Sequence, residues 1–95
     1  MDFYRDAIHC IVNKRYHWAA DSMLKCVQYR AETVEEREMI VNSVTKELQA
    51  AHSHHLSLHD GEITREDDVR IAEMTYNEIC QRLILGKLHT NVSSR

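Results

Sequence analysis

Asn13-Lys14-Arg15-Tyr16-His17-Trp18-Ala19-Ala20-Asp21-Ser22-Met23-Leu24-Lys25-Cys26-Val27 decides how this chain folds, because one apolar stripe ends where it begins and another takes over. Before it, Phe3, Tyr4, Ala7, Ile8 and Ile11 recur at helical spacing. Within it, Tyr16, Ala20, Met23 and Val27 follow at spacings of four, three and four. At 100° per residue the two stripes differ in phase by about 140°, so one straight helix would turn them to different sides. A break at Asn13-Lys14-Arg15 is therefore expected, with Asn13 capping the second helix. The predicted helices span residues 3–12, opened by Asp2, and 15–30.

Downstream the punctuation is plainer. Thr33 followed by Glu36 is a capping box, in which the hydroxyl accepts from a free amide and the carboxylate reaches back to the cap. It opens a helix to about residue 55 with Val34, Val41, Val44, Leu48 and Ala51 on one face. Thr64 with Asp67 repeats the signature, and Val69, Ala72, Tyr76, Ile79 and Leu83 form the last stripe before a stop at Gly86. The absence of proline, with glycine only at Gly61 and Gly86, disfavours turn-rich sandwiches and barrels. The expected fold is all-α: a small bundle of three to four helices built from two antiparallel helical hairpins, with no sheet. Residues 1–86 should form a single domain and 87–95 a flexible tail. Asn13, Lys14, Arg15, Tyr16, Ala19, Ala20 and Leu24 resemble the turn of a tetratricopeptide repeat, where a small residue packs below an aromatic. The likeness covers about a dozen residues without a second copy, and implies hairpin packing rather than a repeat array.

A hydrophobic fraction of 43% and a charged fraction of 28% suit a globular chain, not a disordered one. The net charge of −3 gives no electrostatic case for duplex nucleic acid or an anionic membrane. Its distribution is uneven: residues 1–31 hold five basic groups against three acidic, leaving seven against twelve for the remainder. Phe3, Tyr4, Tyr16, Trp18 and Tyr29 also fall in that first third. Cys10, Cys26 and Cys80, an odd set without a CxxC, read as reduced thiols of a cytoplasmic protein. No secretory or membrane-spanning segment is legible.

Two clusters stand out as candidate sites. Lys14, Trp18, Ser22, Lys25 and Tyr29 recur at spacings of four, four, three and four, opposite the Tyr16–Val27 stripe. An indole with flanking cations outside a small core suits a protein interface, a stacked nucleotide-like ligand shared with Tyr4, or a side chain tucked under the third helix or the tail. The second cluster is histidine: His52, His55 and His59 would share a helix face and could hold zinc, nickel or copper with Asp60 or Glu62. Protonation near the helix end is the simpler role, giving mild pH sensitivity.

Asp60-Gly61-Glu62-Ile63-Thr64 with Asp67 resembles half of an EF-hand loop, but Leu56 and Leu58 stand where ligands belong. The His59-Asp60 pair resembles that of metal-dependent phosphohydrolases, whose ligand set needs a larger domain. The cysteines and serines lack any activating motif. The expectation is a non-enzymatic module without a cofactor, acting as adaptor, inhibitor or regulator of a protein partner and forming a homodimer or small oligomer. Met39, Ile40, Ile84 and Leu85 are candidates for an uncovered strip.

Overall fold

Caps set the helices of the computed structural model, which describes residues 2–58 and 64–85. The Asp2 side chain accepts from the Arg5 amide and opens α1, Phe3–Val12. α2 runs Tyr16–Cys26, α3 Val34–Leu58 and α4 Arg65–Ile84. Thr64 and Asp67 exchange both bonds of a capping box at the head of α4. At α3 only half of the expected box forms: Thr33 accepts from the Glu36 amide at 3.0 Å, while the Glu36 carboxylate reaches one residue further back, to the Glu32 amide. The described residues form helices and turns without a strand. Gly86 and the expected tail, 87–95, lie outside them.

The break after α1 is where the phase shift places it, but Asn13 plays the opposite role: it closes α1 instead of capping α2. Arg15 takes the N-cap position of α2 and supplies no side-chain bond. Both short helices end in the same way. The Lys14 amide donates to the Ile11 carbonyl and the Arg15 amide to that of Cys10; the Gln28 amide donates to Lys25 and the Tyr29 amide to Leu24. These paired bonds are Schellman closures, which need a left-handed residue just past the cap. Lys14 (φ 63°) and Gln28 (φ 54°) supply it without glycine's freedom. α2 consequently stops at Cys26, not at the expected residue 30.

Hydrophobic burial then fixes the assembly. α1 packs on α2 and α4, and α3 packs on the same two, so neighbour contacts close into a ring with a sparse α2–α4 diagonal. Ile11, Met23, Leu24, Val44, Leu48 and Ile79 are sealed in the centre. Fully burying such side chains stabilises by about 1.5–3 kcal/mol each, before conformational entropy is counted. Ile40 belongs to this core and is not part of an uncovered strip. Val34, expected inside, is the first residue of α3 and is 71% exposed. Met39, Ile84 and Leu85 do remain exposed.

Polar ties cross the same seams. The Tyr4 hydroxyl donates to Glu73 at 3.1 Å, and its ring meets Tyr76 edge-on at 4.8 Å, joining α1 to α4. Arg37 pairs with Asp21 across α3 and α2, and Arg82 with Glu47 across α4 and α3.

Candidate functional site

Trp18 lies in the first turns of α2, on the side turned away from buried Ala19, Ala20, Met23 and Leu24, and is 60% exposed. Its indole borders a groove of about 490 Å³ between α1 and α2. Asp6, His9 and Cys10 line one wall; His17, Asp21 and Ser22 line the other with Trp18. The Arg15 guanidinium stands 5.3 Å from the indole centroid, within cation–π range. Burial tends to raise the Asp21 carboxyl, but the Arg37 and Lys25 cations beside it outweigh that and hold it below its ordinary value. Burial and the nearby Asp6 carboxylate push the Cys10 thiol up, disfavouring the nucleophilic thiolate.

Of the five residues expected on this face, Trp18, Ser22 and Lys25 share α2. Lys14 sits in the left-handed turn before it. Tyr29 lies past the end of α2, half-buried against the core, where burial raises its hydroxyl pKa. Lys25 is occupied as well: its ammonium is 3.2 Å from Asp21 and 5.9 Å from the Phe3 ring centroid. Tyr4, Trp18 and Tyr29 line three different clefts and do not gather round one ligand. The cleft at Tyr4, about 370 Å³ between α1 and α4, is bordered by Ile8, Val12, Val69, Arg5 and Arg65.

The histidines divide in a way their spacing does not show. His52 has no exposed surface, and both ring nitrogens are engaged: Nδ1 lies 2.9 Å from the Tyr16 hydroxyl and Nε2 3.1 Å from an Asp68 carboxylate oxygen. With Asp68 accepting from Nε2–H, Nδ1 accepts from Tyr16, and one imidazole joins α2, α3 and α4. His52 therefore offers a metal no free nitrogen. His54 and His55, with rings 6.0 Å apart, border a shallow cleft with Glu47, Glu78 and Arg82. His59, Asp60, Glu62 and the rest of the EF-hand-like segment to residue 63 lie outside the described residues. Among those described, no three His, Cys, Asp or Glu side chains gather to hold a metal ion.

Three features of the site escape the sequence patterns. Arg15 over Trp18 had a weak signal, a cation three positions before an aromatic on one helix. The Tyr16–His52–Asp68 relay and the hydrogen bond that the Tyr76 hydroxyl of α4 donates to Cys26 Sγ at the end of α2 had none, being long-range. No protein-family model matches the chain, and no curated protein or solved structure matches it significantly. No helix among the described residues is long and apolar enough to cross a membrane.

Proposed function

We propose that the chain is a non-enzymatic docking module, an adaptor, inhibitor or regulator, that binds a protein partner through the Trp18 face of α2. The observation that carries this is the 60% exposure of the indole beside the α1–α2 groove. Leaving a large aromatic in water forgoes burial of much of its surface, and such residues concentrate where partners seal them away. Lys14 and Arg15 would form a polar rim, with Arg15 holding the indole in place. In this proposal the bundle works as two antiparallel hairpins in the reducing cytoplasm. Exposed Met39, Ile84 and Leu85 would support self-association. A nucleotide-like ligand is the weaker alternative, since the aromatics it needs face separate clefts.

The test is Trp18→Ala, used to compare capture from native lysate and then titrated directly against the captured protein. Lys25→Glu is a poor companion, because it would set a carboxylate against Asp21. Docking through the indole predicts at least a tenfold loss of affinity, about 1.4 kcal/mol, with an unchanged circular dichroism spectrum. Equal affinity for the variant would end the proposal.

A further inference from the structure

The sparse α2–α4 diagonal carries a cluster of three reactive groups. Cys26 is the last residue of α2 and is exposed; Cys80 is buried in α4. Between them stands Tyr76, 4% exposed, whose hydroxyl donates to Cys26 Sγ at 2.6 Å although the two residues are 50 positions apart. Cys80 follows Tyr76 by one helical turn, and both are buried on the same face of α4. The α2–α4 seam thus holds one sulfur in contact with the Tyr76 oxygen and a second a helical turn along the same buried face. Cys10, on α1, lies elsewhere, beside Asp6 and Arg15.

We infer that Cys26 and Cys80 form a paired-thiol modification site, oxidised by hydroperoxides to a disulfide that ties α2 to α4. Exposure makes Cys26 the sulfur that meets the oxidant. Its thiolate attacks the hydroperoxide, one oxygen passes to sulfur, and the products are a sulfenic acid and an alcohol, or water from hydrogen peroxide. The Cys80 thiolate then attacks the Cys26 sulfur, the S–S bond forms, and the expelled hydroxide takes up the proton that Cys80 gave away. Two thiols have lost two hydrogens and one hydroperoxide has been reduced. Closure requires the sulfurs to move together as the Tyr76 hydroxyl steps aside, because bonded cysteines hold their Cβ atoms about 3.5–4.5 Å apart. The end of α2 is suited to that movement, since it gives way immediately to the turn at Gln28.

The second step has a pH signature. Burial pushes the Cys80 thiol up to about 11, so its thiolate fraction rises about tenfold per pH unit between 7 and 10. The rate of ring closure should rise with it.

The experiment treats the dilute, reduced full chain with hydrogen peroxide, alkylates the remaining thiols and maps the peptides without reduction. The expected product is a monomer lighter by two hydrogens, with a Cys26–Cys80 cross-linked peptide and Cys10 alkylated. It should form in Cys10→Ser, be absent in Cys26→Ser, and revert with dithiothreitol. Because Cys26 is exposed, its serine variant remains an informative control even where Cys80→Ser does not fold. The oxidised chain should melt at least about 5 °C higher, as a cross-link closing a long loop restricts the unfolded state. Oxidation of Cys26 to the sulfinic acid with Cys80 still free, a cross-link through Cys10, or dimers joined through Cys26 would each overturn the assignment.

Discussion

His52→Ala is the perturbation whose cost the structure specifies most fully. It deletes an imidazole with no exposed surface and both of its bonds, to Tyr16 at 2.9 Å and Asp68 at 3.1 Å. Truncating a large buried side chain to alanine costs about 2–4 kcal/mol through lost packing and the cavity left behind. The bonds add about 1 kcal/mol for the neutral partner and about 1.5 or more for the carboxylate. Part of that returns, since Tyr16 is half-buried and the Asp68 side chain is 25% exposed, so water can replace the imidazole at both. The expected loss is about 3–4 kcal/mol from a domain whose total is about 5–10 kcal/mol. Tyr16→Phe should cost about 1–2 kcal/mol, because Nδ1 would then lack a donor in a dry interior. In the His52→Ala background the same change should cost almost nothing, giving a coupling of about 1–2 kcal/mol. Urea unfolding followed by far-ultraviolet circular dichroism measures all three, provided the slope is unchanged. A His52→Ala cost below about 1 kcal/mol, or strict additivity with Tyr16→Phe, would refute the relay as a structural tie.

Other consequences can be measured in the same way. Lys14→Gly and Gln28→Gly should each stabilise by about 0.5–1 kcal/mol in urea titrations, because glycine relieves the left-handed strain at φ 63° and φ 54°. Thr75→Val should stabilise by about 1 kcal/mol, since the buried Thr75 hydroxyl lacks a partner among the described residues and valine keeps its shape. The Asp21 carboxyl is held below its ordinary 3.8, so its stabilisation is complete above that value and fades as pH falls through the lower folded value. Asp21→Asn should flatten the acid limb of a stability–pH curve. Cys80 has the opposite sign: its thiol rises from 9.0 to about 11, so its contribution is complete below pH 9 and fades towards pH 11, a loss that Cys80→Ala should abolish.

How much of this was legible follows from which interactions are local. Asp2, Thr33 and Thr64 announce three helix starts because a cap is a short-range bond between a side chain and an amide a few positions on. The 140° phase shift announces the break at Asn13 for the same reason. The ends of α1 and α2 are hidden, because Lys14 and Gln28 are not residues one expects in left-handed turns. The apolar and basic spacing therefore continues past the true end of α2 at Cys26, and Lys14 and Tyr29 match the spacing of a helical face that neither occupies.

Within the candidate site, phase set Trp18 opposite the expected stripe, of which Ala20 and Met23 are buried and Tyr16 and Val27 partly so, but whether another segment covered the indole depends on the fold. His52 follows Val44 and Leu48 at intervals of four and is as buried as they are, but its place in a run of histidines masks that periodicity. Its partners, Tyr16 and Asp68, come from other helices and become neighbours only through the fold. The same holds for Cys26, Tyr76 and Cys80, where sequence spacing carries no trace of proximity.

Trp18 is the only tryptophan, so its fluorescence reports on the proposed docking surface with no competing indole. Emission from the free, folded chain should be red-shifted, and acrylamide should quench it almost as readily as in the urea-unfolded chain; a bound partner should shift it to the blue and shield it. Blue-shifted, protected emission from the free chain would place the indole inside the subunit and contradict the docking proposal.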